Sequence, residues 1–192
     1  TKMAFQLGQV DKIDEIYNLS PFDSWKGVKI DTYTNTGQYA AIFFNTQDKY
    51  LSEKNLRQAL SYAINKQELS AMRSISPISK ESWVYNSQGK SHDYDLDRHK
   101  EIIDEYKETL GIETLPIVLS TPSLLLSQAE KIANDWRVVG IEVNVQVVPS
   151  LPNEYQAYFA IYDIPEDPDQ YSIWHSTQTA TNITRYQNVR ID

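Results

Sequence analysis

The chain has 192 residues, 41% of them hydrophobic, with four Trp, thirteen Tyr and five Phe, enough to enclose a core and too apolar for a disordered segment. Its net charge of −8, without a Lys/Arg cluster, argues against a nucleic-acid partner, because phosphate binding calls for a basic face. Zero cysteines exclude disulfides, thiolate metal sites and cysteine nucleophiles together, and no apolar run approaches the ~20 residues that a membrane-spanning helix needs.

Residues 3–20 read as a short helical region carrying Phe5, Leu7, Val10 and Ile13, closed by Ser20-Pro21. From Val28 to Tyr33 apolar and polar side chains alternate, the pattern of a half-buried strand. Residues 38–44 are more continuously apolar and predict a strand buried on both faces. Ser52 is placed to cap a helix in which Leu56, Ala59, Leu60, Ala63 and Ile64 recur at three- and four-residue steps. Ser74 to Asp93, rich in Ser, Pro, Gly and Asn around Trp83-Val84-Tyr85, reads as an ordered loop. Asp93 or Asp95 then caps a helix with Ile103, Tyr106 and Leu110 on one face, and Gly111 supplies its left-handed stop.

The clearest unit lies between 115 and 148. Leu115 to Ser120 predicts a strand, and Thr121-Pro122 opens a helix with Pro at its first position. That helix buries Leu125, Ala129, Ile132, Ala133, Trp136 and Val139 and ends at Gly140. Ile141, Val143, Val145 and Val147 then alternate with Glu142, Asn144 and Gln146, so the third piece is a strand with one wetter face. Strand, helix and strand with tight joins form a βαβ unit, whose crossover is expected to be right-handed. Beyond Pro149 the pattern predicts a brief helix near 153–157, a strand near 157–162 and an irregular run through Pro165 and Pro168. No internal repeat and no domain boundary stands out, so the simplest fold class is a single α/β unit.

In such sheets ligands gather at the carboxyl ends of strands, which points to Asn45-Thr46, Ser120-Thr121 and Tyr162-Asp163. Free backbone N–H groups at the start of the helix after Thr121 can also receive a carboxylate or carbonyl. Each residue has a plainer role as well: Thr121 as a helix cap, Asn45 as a strand-end hydrogen-bonding group. Trp83, Tyr85 and Trp174 can wall a pocket or pack in the core, whereas Trp136 reads as core. The acids Asp163, Glu166, Asp167 and Asp169 admit a hydrolase with paired carboxylates, but acids beside prolines commonly cap turns, and neither a nucleophile nor a His partner accompanies them. His92, His99 and His175 lack the spacing of a metal site. Neither a metal nor a cofactor is expected.

Several short runs, in order, carry a resemblance: Gly8-Gln9-Val10-Asp11; the strand ending Phe44-Asn45-Thr46 with the helix opening Asn55-Leu56-Arg57; Pro77-Ile78; Trp83-Val84-Tyr85-Asn86; and Tyr94-Asp95-Leu96-Asp97. Trp136 to Val147, Asp167-Pro168-Asp169-Gln170-Tyr171, Trp174-His175-Ser176 and Asn182 to Asn188 complete the set. In this order they resemble the C-terminal lobe of the family 5 extracytoplasmic solute-binding proteins, oligopeptide- and dipeptide-binding type, that feed ABC importers. The resemblance implies one lobe of a type II periplasmic-binding-protein fold, a mixed β-sheet flanked by helices. Residues 1–192 would be a single C-terminal lobe, a piece of a larger protein whose N-terminal lobe and flanking segments lie outside this chain. It further implies a peptide ligand, the membrane subunits of an ABC permease as partners, an extracytoplasmic location (periplasm, or lipid-anchored at the outer face of the membrane) and no catalysis. Asn45, Ser120, Thr121, Tyr162, Asp163 and Trp174 are the residues expected at the ligand. An oligosaccharide, a nickel chelate or another small solute is the alternative cargo, and a hydrolase using the acidic loop 163–169 is the alternative of a different class. Two departures stand out. The stretch from Glu68 to Ser74 is shorter than in the family, and Asp163 lies one position away from the family's Asp-Tyr step, whose carboxylate holds a peptide's α-ammonium.

Overall fold

The computed structural model describes residues 2–14, 16, 19–70 and 72–190, with Arg98 described by its backbone alone. The chain divides into two compact units, Thr1–Thr34 and Asn35–Asp192, a division that no Pro- or Gly-rich linker marks in the sequence.

Among the described residues of the first unit, only Lys2–Gln6 is α-helical (α1). The helical region expected over 3–20 therefore stops early, at a turn in which Gly8 takes φ 68; Glu15, Tyr17 and Asn18 lie outside the described residues. An aromatic cluster holds this unit together. Phe22 is buried, with Phe5 and Trp25 set edge-on to it at 5.9 and 5.1 Å between ring centroids. Val28 to Tyr33 is not a strand: it has no pairing partner among the described residues, and Ile30 and Tyr33 are exposed. Side-chain alternation is satisfied by any extended segment, but a strand also needs a neighbour for its backbone groups.

The second unit is built on four strands, β1 (Gln38–Phe44), β2 (Leu115–Thr121), β3 (Ile141–Val147) and β4 (Ala157–Asp163), in the order β1-β4-β2-β3. β2 pairs in parallel with β3 and with β4, while β1 runs antiparallel to β4. The sheet is thus mixed, and β1 is an edge strand. The expectation that residues 38–44 are buried on both faces fails for that reason: Ala40 is exposed and only Phe43 is fully buried.

Five helices are described in this unit: α2 (Lys54–Tyr62), α3 (Lys66–Leu69), α4 (Leu96–Leu110), α5 (Leu126–Val138) and α6 (Tyr171–Trp174). Glu53, not Ser52, caps α2, its carboxylate accepting from the Asn55 N–H at 3.3 Å. α4 ends at Gly111, φ 64, as its left-handed stop requires. Its buried face is His99 and Ile103, with Tyr106 half-buried and Leu110 exposed, so the stripe is shorter than its spacing predicts. α5 opens later than Thr121-Pro122 predicts. Pro122 is extended (ψ 152), a 3-10 turn follows at Ser123–Leu125, and the α-helix begins at Leu126. No helix forms at 153–157; that segment is an irregular turn leading into β4. Residues 70 and 72–95 contain neither helix nor strand, as their composition predicts.

The alternation of each strand sorts side chains onto two faces. Leu115, Ile117, Leu119, Ile141, Val143, Ala157 and Phe159 join Leu56, Leu60, Ile103, Ile132 and Trp136 of α2, α4 and α5 in one dry core. Trp136 is fully buried, stacks on Phe44 at 6.2 Å, and donates from Nε1 to the Leu60 carbonyl at 2.9 Å. On the opposite face Phe43, Tyr158 and Ala160 pack with Val148 and Tyr155, and Tyr39, Tyr162, Trp174 and Ile183 lie half-buried around them. Here the cover is not a helix layer but the segment after Val147. Arg185, at φ 52, stands over the Tyr155 ring at 5.1 Å and donates to the Asn153 carbonyl, which fastens that segment down.

Candidate functional site

β2 and β4 are parallel, so their carboxyl ends share one rim of the sheet. Antiparallel β1 brings its amino end, Gln38-Tyr39, to that same rim. Tyr39 faces Tyr162 across the ladder with ring centroids 5.7 Å apart, and Phe43 lies 6.0 Å from Tyr162. Trp174 stacks on Phe43 at 6.3 Å, its indole N–H satisfied by Gln170 Oε1 at 2.9 Å. Two of the expected residues, Tyr162 and Trp174, therefore belong to one aromatic surface. Burial, with Tyr162 adjacent, pushes the Tyr39 hydroxyl up to about 12. Burial chiefly, then the Asp163 carboxylate, raises Tyr162 as well. Both phenols stay neutral donors at physiological pH.

Asp163 ends β4 and is exposed. By alternation it and its register partner Gln38 point to the helix side of the sheet, away from the Tyr39–Tyr162 pair. Gln38 Nε2 donates to Asp163 Oδ1 at 2.6 Å, which aims the carboxylate without neutralising it. The rim thus offers an aromatic wall on one side and the Asp163 carboxylate on the other.

The remaining expected residues are used internally. Ser120 is buried beside Tyr158, its partner in β4. Thr121 is fully buried, and its hydroxyl donates to the Phe159 carbonyl at 3.0 Å; it belongs to the strand and does not cap α5. The helix-start N–H groups expected there are displaced to Leu126. Asn45 lies at the far end of the sheet, because β1 runs the other way. There it donates to the Tyr155 carbonyl at 2.8 Å and accepts from the Gln47 N–H at 3.0 Å. Seven strand steps separate it from Gln38, which is level with Asp163, roughly 23 Å. The rule that strand carboxyl ends cluster holds for β2 and β4 and fails for β1.

The acidic loop behaves as a turn. Asp167 Oδ1 accepts from the Asp169 N–H at 3.0 Å, and Asp169 Oδ1 accepts from the Tyr171 N–H at 2.9 Å. These bonds wind the chain into α6 and so position Trp174. Trp83 is 88% exposed and walls nothing. Among the described residues no three His, Asp or Glu side chains converge as a metal site. A separate open cavity of about 590 Å³ lies where α2 ends and α4 begins, between Tyr62, Ser91 and Asp93 to Asp97, remote in sequence and topology from the rim. Sequence reading missed Gln38, Tyr39, Phe43 and Gln170. The signal for the first three was the parity of β1, readable only once its antiparallel register with β4 is known.

The family described as bacterial extracellular solute-binding proteins, family 5 Middle, matches residues 1–182. The chain belongs to this family. Among curated relatives it is 28% identical over 116 residues to the dipeptide-binding protein of Escherichia coli (strain K12), covering 53% of this chain and 21% of that protein. It is 27% identical over 116 residues to heme-binding protein A of Haemophilus influenzae, covering 55% and 21%. In fold it is similar to the oligopeptide-binding protein AppA from Bacillus subtilis, solved with a nonapeptide (TM-score 0.71, 24% identity, 81% of this chain and 37% of that one). It is also similar to DppA from Helicobacter pylori, solved with the peptide STSA (TM-score 0.74, 19% identity, 98% and 41%). The chain spans about a fifth of the length of these curated relatives. Its mixed sheet with flanking helices is one lobe of the type II periplasmic-binding-protein fold.

Proposed function

We propose that this chain is the C-terminal lobe of the substrate-binding component of an ABC importer, and that it captures peptides between itself and an N-terminal lobe supplied by the rest of the protein. The observation that carries the reading is the rim that presents Tyr39 and Tyr162 on one face and Asp163 on the other, in a chain of this family. A rim of this kind suits an extended peptide: polar strand ends for its backbone, an aromatic wall for a side chain, and a carboxylate for an amine. Asp163, aimed by Gln38, is the group we assign to the amine. Tyr162 and Trp174 are the contacts we assign to the aromatic wall, whereas Ser120, Thr121 and Asn45 support the sheet from inside. Binding would shift an open–closed equilibrium of two lobes, and the closed form would present the surface a permease recognises. No chemical step is required of the chain, and the protein would act outside the cytoplasm.

The test is thermal stabilisation of the full-length protein by a short peptide, an oligosaccharide, a nickel–histidine chelate and heme, each alone. Stabilisation by peptide, lost in Asp163→Asn, is the expected result. Stabilisation by one of the other three alone would reassign the cargo and leave the fold standing.

A further inference from the structure

Residues 72–95, without helix or strand, are fastened to the helix layer at their C-terminal end, where the Asp95 N–H donates to the Tyr62 carbonyl at 3.4 Å, and at the His92 carbonyl. The His92 carbonyl accepts from Lys66 Nζ at 2.8 Å and from Arg73 at 3.1 Å. Lys66 also donates to the Ser61 and Ile64 carbonyls where α2 ends, so a single ammonium ties that helix end to the loop. Arg73 is held in turn by Asp93 at 2.5 Å. The His92 ring meets Tyr62 edge-on at 4.8 Å, and Tyr62 stacks on His99 of α4 at 5.0 Å. The His92 Nδ1 atom is shut off from solvent and has no hydrogen-bond partner among the described residues.

We propose that this segment is a proton-operated strap: with His92 neutral, Lys66 and Arg73 grip its carbonyl and close the segment over Tyr62, and protonation of the His92 ring releases it. The charged ring would be a third cation beside two others, and a proton on Nδ1 would meet no acceptor among the described residues. The groups facing it from every side are Lys66 on α3, Arg73, Lys90 and Asp93 on the loop, and Tyr62 and His99 on α2 and α4; Asp135 of α5 acts on Lys66. Only Asp93 favours the charged ring, and it is already committed to Arg73 and Ser91. Burial first, then Lys66, Arg73 and Lys90, lower the His92 pKa from its usual 6.5. A depressed folded value means that the grip is complete above the unfolded pKa and is lost as pH falls through the folded one. Release would open the cavity at Tyr62, whose walls at Ser91 and Asp93 come from the strap.

Hydrogen exchange of the full-length protein, corrected for intrinsic rate, tests this at about pH 7.5 and about pH 5, the window in which histidine changes charge. Amides of residues 84–92 should lose protection severalfold at the lower pH, while α5 amides stay protected. The His92 ring resonance should titrate in step with that loss. In His92→Gln, strap protection should be equal at both pH values. Unchanged strap protection in the wild type, an equal loss in His92→Gln, or a His92 titration separated from the loss would each overturn the proposal.

Discussion

The two faces of the sheet are made from the same strands and behave as different materials. On the helix side the central positions of the strands carry apolar side chains: Ile117, Leu119 and Phe159 meet Leu56, Leu60, Ile132 and Trp136 with almost no water access, and polar groups (Thr121, Gln38, Asp163) enter only toward the rim. On the other side Tyr39, Tyr162 and Trp174 are only half-buried, carry polar tips, and are held by side chains such as Gln170. One residue step along β4 moves from one regime to the other. The dry face makes the fold, and the half-wet face, with the rim it reaches, is where binding groups can be kept without unsatisfied polar atoms.

Given that contrast, equal chemical changes should cost unequal amounts. Trp136→Ala is expected to lose about 3–5 kcal/mol in denaturant unfolding, from the cavity and from the stranded Leu60 carbonyl. Trp174→Ala should lose roughly 1–2 kcal/mol, since only part of that ring is withdrawn from water. Costs in the reverse order would break the comparison. Thr121→Val should lose about 1–3 kcal/mol, because the Phe159 carbonyl is left buried without its hydroxyl donor. Gly140→Ala sharpens the helix side at its edge. At φ 82 an L residue is strained, and the new Cβ meets Lys107 Nζ at 3.1 Å, so a loss of about 1–2 kcal/mol is expected.

The smallest effect is on pH dependence. Tyr39 has a raised folded pKa, so its contribution is fully present below the unfolded value near 10 and is lost as pH rises through about 12. Stability measured from pH 9 to 12 should fall less steeply in Tyr39→Phe. An identical slope would mean that Tyr39 is as wet as an unfolded tyrosine.

Much of the helix side was legible in the sequence. Gly140 with the alternation from Ile141 to Val147, and the stripe through Ala129, Ile132, Ala133 and Trp136, marked out β2–α5–β3 because period and stop signals are local. The rim was legible only in part. Tyr162 and Asp163 were found from the strand-end rule, but Gln38 and Tyr39 come to them through antiparallel pairing between residues far apart in the chain, which no local pattern encodes. The same non-local fact sent Asn45 to the wrong end. Thr121 reads as a cap in sequence because its hydroxyl suits one; the Phe159 carbonyl, brought close by the sheet, takes it instead. Val28 to Tyr33 alternates like a strand yet pairs with nothing described, since alternation records faces and not neighbours.

The most direct test is an amide and indole chemical-shift map of the full-length protein as a short peptide is added. The account predicts that Tyr39, Tyr162, Asp163 and the Trp174 indole shift together while Asn45 and Gln156, at the opposite end of the strands, stay still. Shifts centred on Asn45 and Gln156, or on the cavity at Tyr62, with the rim silent, would contradict it.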